Sequence, residues 1–202
     1  LVVVPLMVSS HGAHTRQLQF YAGALAQLPS ELSGHVHGPV SHPRVTTMVT
    51  DAIDAAPELG AVLLDHWRAL PAADRARPVV LVAHGPSGDV DARRWESALS
   101  VANAPLAAAL GNAPMRIGLI RDDAPPAERA AAVASIRDTI AALASASGDS
   151  VLVMTVLISS SGINTVRIPA DLAGTPMRYA GVSLAPHPAL ARWIERMASA
   201  AA

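Results

Sequence analysis

The 202-residue chain contains no lysine; all fifteen of its basic residues are arginine. This removes chemistry that needs an amine side chain: a P-loop lysine, a pyridoxal-phosphate Schiff base, a lysine general base. Cysteine is absent as well. Disulfides, zinc–thiolate sites, thiolate-held iron–sulfur clusters and cysteine nucleophiles are therefore excluded. A chain without cysteine fits the cytoplasm, which is the compartment expected here. There is no excess of charge: fifteen basic against sixteen acidic residues leave a net −1, so no basic field attracts nucleic acid. No apolar run approaches the ~18 residues of a membrane-spanning helix, and no membrane partner is expected. The sequence also lacks GxGxxG, GxxxxGK[ST], GxSxG and HExxH, so no organic cofactor is expected.

What remains is apolar: 51% hydrophobic and only 15% charged. Continuous apolar runs at residues 1–8 (LVVVPLMV), 78–83 (PVVLVA), 115–120 (MRIGLI) and 151–158 (VLVMTVLI) read as parallel strands covered on both faces. A short fourth strand of the second unit is expected over 177–180. Between the runs, helices are expected over 92–110 with a break near Pro105, over 126–145, over 189–199, and over 47–70 with a break at Pro57. Alternating strands and helices predict an open α/β sheet with helices on both faces.

Two segments repeat. PLMVSSHGAHTRQ, from Pro5, lines up with TVLISSSGINTVR, from Thr155, at an offset of 150. SHPRV, from Ser41, lines up with PHPAL, from Pro186, at an offset of 145, each His-Pro pair being expected to open a helix. We read an internal duplication, with residues 1–76 as the C-terminal half of a first α/β unit and 77–202 as a complete second unit. By this arithmetic, on the order of 70 residues of the first unit are expected upstream of Leu1.

The chemistry falls to histidine. His84, followed by Gly85, closes the run PVVLVA, and strand ends of open parallel sheets face the ligand crevice. His11 and His14 follow the first run in the same way. Three imidazoles without thiols suit cobalt, nickel, iron or zinc. His35 and His37 read as a surface loop, His42 and His187 as helix-start residues, and His66 as half-buried packing. Of Asp122 and Asp123, at least one is expected to cap the helix that follows. Arg121, Arg93 and Arg94 are candidates to hold carboxylates, the last two alternatively forming a solvated face. A hydrolase built on Ser87 or on Ser159–Ser161 lacks an elbow and an ordered base.

These residues carry a resemblance. PVVLVAHGPSGDVDARRW resembles the first strand and HG loop of sirohydrochlorin cobaltochelatase-type proteins, class II chelatases that also include ferrochelatase. VVPLMVSSHGAHTRQLQFYAG resembles the third strand and loop of the N-terminal unit in long two-unit members, and VLISSSGINTVRIPADLAGTPMRYAGVSLAPHPALARWIERM the matching C-terminal stretch. The resemblance implies a chelatase-like fold of duplicated parallel-sheet units. It implies ATP-independent insertion of cobalt, iron or nickel, the metal being substrate, into an acidic tetrapyrrole of cobalamin or siroheme biosynthesis. An oligomer is compatible with it.

The resemblance makes His84 the catalytic base and transient metal ligand, with His11 and His14 as further ligands. Arg93, Arg94, Arg121, Ser9, Ser10, Ser159 and Ser160 become substrate contacts. The second unit departs from the family: its loop places Asn164 where the first has His14, and Ser161 where it has His11. Non-enzymatic metal or tetrapyrrole binding on the same fold is the alternative.

Overall fold

The computed structural model describes residues 1–28, 32 and 43–201. The second part of the chain builds a four-stranded sheet of β3 (Val79–Ala83), β4 (Met115–Leu119), β5 (Val151–Val156) and β6 (Met177–Ala180). Its order is β4-β3-β5-β6 and every pair is parallel. All five residues of β3 and all six of β5 are buried, as the unalternating apolar runs require.

The strand pleat sends alternate residues to opposite sides. Val79, Leu81 and Ala83 pack with Leu59 and Leu63 of α2 (Pro57–Arg68), Leu99 of α4 (Asp89–Ala102), Leu106 of α5 (Ala104–Leu110) and Trp193 of α8 (Pro188–Ala200). Val80 and Val82 pack on the other side with Ile136 and Ile140 of α6 (Pro126–Ser147) and Ile168 of α7 (Ile168–Asp171). Helices thus cover both faces. α6 opens on Pro126, whose missing N–H is no loss in a first turn, and closes on Gly148 in the left-handed conformation (φ 70°). α3 (Ala72–Arg75) leads into β3.

In the first part, β1 (Val2–Val3) and β2 (Met48–Val49) form a separate parallel pair, and α1 (Ala13–Tyr21) follows the loop after β1. Three expectations need correcting here. The strand expected over 1–8 pairs only at Val2 and Val3, because Pro5 lacks a donor and the chain turns at once, Met7 N–H donating to Pro5 O at 2.7 Å. The helix expected over 47–70 begins at Pro57: β2 and a turn precede it, so the proline starts a helix rather than breaking one. Residues 43–47 are not helical, so no helix opens behind Pro43; Ser41 and His42 lie outside the described residues, as do His35 and His37.

The backbone shows which segments match. Ile53 and Asp54 N–H donate to Met7 and Val8 O at 3.1 and 2.9 Å. Leu184 and Ala185 N–H donate to Leu157 and Ile158 O, both at 2.8 Å. The acceptors are 150 residues apart and the donors 131. An offset of 131 also superposes Pro57 on Pro188, the helix-opening prolines of α2 and α8. The match for His187-Pro188 is therefore Ala56-Pro57. His187 itself caps α8, its Nδ1 accepting from Ala189 N–H at 3.1 Å.

Candidate functional site

His84 leaves the carboxyl end of β3. The next residue must be glycine: Gly85 has φ +73°, and a Cβ there would meet Leu119 Cβ at 2.7 Å. Arg121 N–H donates to His84 O at 2.7 Å, fastening this loop to the end of β4. His84 Nδ1 lies 3.0 Å from Gly85 O. A carbonyl only accepts, so Nδ1 carries the hydrogen and Nε2 keeps the lone pair of the neutral ring. That Nε2 is 3.9 Å from Asp123 Oδ2.

The same carboxylate oxygen is 3.1 Å from His14 Nε2, on the first turn of α1. Asp123 thus stands between imidazoles from α1 and from the end of β3. Among the described residues its carboxylate pairs with these two rings and with no arginine. A lone pair facing a carboxylate is repulsive, and a proton or metal cation between them reverses the sign.

His11, His14, His84 and Asp123 line one apolar cleft lobe of about 260 Å³, walled by Leu6, Trp95 and Leu157. It runs into a larger lobe of about 950 Å³, of mixed polar and apolar lining, that shares His14, Pro86, Ser87 and Asp123. That size falls in the usual range of cofactor and ligand sites. Among the described residues no three histidine or carboxylate side chains enclose an ion as they lie.

Asp123 was not read from the sequence as a site residue; it was a candidate cap. Neither aspartate caps α6, whose N-cap is Pro125 without a side-chain cap. Asp122 turns away from the cleft, accepting from Arg129 Nε at 2.9 Å and from Arg167. The Arg167 guanidinium chiefly, with Arg129 adding to it, holds this carboxyl below the ordinary carboxylate value. Arg129 continues to Asp171 at 2.5 Å, so one ion network joins the β4 loop, α6 and α7. The adjacency of Asp122 and Asp123 on a strand-end loop was the available signal: one side chain turns into the protein and the other toward the cleft.

The remaining candidates fall into two groups. Arg121, at φ +52°, donates to Pro86 O and Ser87 O and pairs with Asp89 at 2.8 Å and Glu128 at 3.2 Å, so its guanidinium braces the HG loop. Ser9 Oγ and Ser10 Oγ both donate to the Asp54 carboxylate. These three side chains are spent within the protein. Arg93 and Arg94 are exposed on α4, Arg94 reaching Asp91 at 3.3 Å, and Ser159 and Ser160 are exposed beyond β5.

Asn164 does not occupy the place of His14. It is buried, its Nδ2 donating to Gly181 O at 3.0 Å and its Oδ1 accepting from Tyr179 at 2.8 Å. The reason is local. Residues 163–167 form a π-helix where α1 is a regular helix, and the wider turn rotates side chains off the α register. Ser87 Oγ donates to the Asp123 carbonyl rather than to an imidazole, so it is not arranged as an activated nucleophile. His66 is half-buried and meets His187 edge-on at 5.8 Å, away from the cleft.

No protein-family model matches the chain, and no curated protein matches it. Among solved structures, SirB from Bacillus subtilis with Fe3+ is similar, with a TM-score of 0.56 and 14% identity, covering 98% of this chain and 69% of SirB. DR2241 from Deinococcus radiodurans is described as a multi-domain protein with structural similarity to chelatases and two additional novel domains. It gives a TM-score of 0.48 at 17% identity over 98% of this chain and 40% of its own. The fold is chelatase-like: parallel α/β with helices on both faces of the main sheet. No described helix is long and apolar enough to cross a membrane.

Proposed function

We propose that this chain inserts a divalent metal, cobalt, iron or nickel, into sirohydrochlorin or a similar carboxylate-rich tetrapyrrole without ATP, in the cytoplasm. One observation carries the reading: His14 on α1 and His84 at the end of β3 face one carboxylate, Asp123, where a small apolar lobe of the cleft meets a larger one of mixed lining. The likeness to SirB, solved with Fe3+, supports metal handling on this fold and includes iron among the candidates. Residues 1–76 then serve as the C-terminal half of a first chelatase-like unit and 77–202 as a complete second unit.

Insertion forms metal–nitrogen bonds and releases two pyrrole protons. His84 Nε2, its tautomer set by Gly85 O, transiently holds the metal and, once the metal has passed to the macrocycle, takes one proton on the freed lone pair. Asp123 and His14 supply the second acceptor and neutralise the cation, with His11 at the wall of the lobe. Arg93, Arg94, Ser159 and Ser160 are the donors left for the macrocycle carboxylates. The burial of Asn164, which leaves the second loop without a ligand, favours a second reading: a non-enzymatic metal- or tetrapyrrole-binding protein. A steady-state insertion assay separates them. Many metallated products per chain support the chelatase, and one equivalent of bound macrocycle without turnover supports the binder.

A further inference from the structure

We propose that Asp54 is the positioning residue of the metal site, holding the loop that presents His11 and His14. This rests on the reading of His11, His14, His84 and Asp123 as that site. Asp54 lies outside the cleft lining and touches neither imidazole, but both its oxygens are committed to the loop. Oδ1 accepts from Ser9 Oγ and from Ser10 N–H, each at 2.8 Å, and Oδ2 accepts from Ser10 Oγ at 2.5 Å. Ser9 Oγ accepts in turn from His11 N–H at 3.1 Å. Ala52 N–H donates to Ser10 Oγ at 2.8 Å, and Thr15 Oγ1 to Ser9 O at 2.9 Å. The serine pair is thus a relay from one carboxylate to the backbone of His11 and to the first turn of α1, one residue beyond His14.

The backbone of Asp54 is strained for this purpose. Its φ is +45°, a region non-glycine residues enter at a cost. The hydrogen bonds from Ile53 and Asp54 to Met7 and Val8 hold it there.

The duplicated half is an internal control. Leu184 and Ala185 make the same two backbone bonds to Leu157 and Ile158, so Ala185 stands at the position of Asp54. The serines after Ile158 are present but exposed, and their loop carries no imidazole. The carboxylate clamp occurs in the half whose loop bears histidines and is missing from the half whose loop does not. Packing alone would serve both halves alike. A ligand loop has the further need of a fixed orientation.

Asp54→Gly removes the clamp while relieving the left-handed strain, so the fold survives. Asp54→Asn retains one oxygen toward Ser9 and Ser10 and tolerates the same φ. Three measurements on wild type and both variants test the role: thermal melting, backbone amide exchange, and titration with Co2+ alone followed by visible absorption. Asp54→Gly is expected to melt within a few degrees of wild type, to lose exchange protection at Ser10 and His11, and to bind Co2+ roughly ten- to a hundredfold more weakly. In the insertion assay kcat falls and KM for the macrocycle holds. Asp54→Asn recovers most of the affinity. Unchanged Ser10 and His11 exchange in a folded Asp54→Gly overturns the proposal outright, as does unchanged Co2+ affinity in a protein whose wild type binds the ion. A wild type that binds no Co2+, with loop protection still dependent on Asp54, overturns the metal-site reading and with it the functional role of the clamp.

Discussion

His84 Nε2 faces Asp123 Oδ2 across 3.9 Å, with the other ring nitrogen already committed to Gly85 O. The pair brings together a strand end and the loop of its neighbour, 39 residues further along the chain. In the proposed reaction the two groups do different work: the imidazole accepts, and the carboxylate neutralises what arrives.

His84→Ala is expected to lower insertion by roughly 10²–10⁴-fold, the usual contribution of a positioned base. Because His84 is a strand-end side chain with one local hydrogen bond, far-UV circular dichroism should stay unchanged. Asp123→Asn should weaken Co2+ binding and insertion together. Activity equal to wild type in His84→Ala removes the base from the mechanism.

Asn164→His aligns the second loop with the first on paper, yet it should gain nothing. The amide is buried and bonded on both sides, to Gly181 and Tyr179. A larger ring there leaves those groups unpaired, at a cost of about 1–3 kcal/mol. Urea denaturation reads the loss; a rise in insertion rate would contradict it.

Asp122→Asn should destabilise the fold by about 1–3 kcal/mol at neutral pH through its Arg129 and Arg167 contacts. The carboxyl is held below its unfolded value of about 3.9. Its stabilisation is therefore fully present above that pH and disappears as pH falls through the folded value. Denaturation of wild type and variant should converge in acid. A gap that persists at low pH would show that charge is not its source.

His66 gives a test of the same sign in a different window. Burial above all, then the neighbouring His187, lowers its proton affinity, with Asp65 opposing. Its Nδ1 is buried without a hydrogen-bond partner. The unfolded ring titrates at about 6.5 and the folded ring lower, so the unfolded chain binds the proton first. Stability should fall as pH drops through that window, and His66→Gln should flatten the slope between pH 5 and 8. An unchanged slope assigns it to other groups.

The second part of the fold was legible because its two central strands, 79–83 and 151–156, are buried on both faces and read as continuous apolar runs. The outer strands, 115–119 and 177–180, carry exposed residues and followed from the alternation of strands and helices. The first half was harder. Val2–Val3 and Met48–Val49 are too short to leave a periodic signal, and Pro57 has the same identity whether it breaks or begins a helix. At the site, His84 was marked by the glycine behind it, and His11 and His14 by the repeat. Asp123 was missed because an acid before a helix usually caps it. The burial of Asn164 was not legible because sequence alignment is blind to a π-turn.

The paired bonds at Met7–Ile53 and Leu157–Leu184 give the chain the same backbone frame at two loops. One loop carries an acid, two serines and two imidazoles; the other has the serines, with Ala185 at the place of the acid. A protein engineer therefore has a bare socket beside a furnished one within a single molecule. Ala185→Asp would complete the hydrogen-bonding frame around Ser159 and Ser160 before any ligand is added, which makes the second loop a scaffold on which a metal site can be built in order, frame first and ligands after.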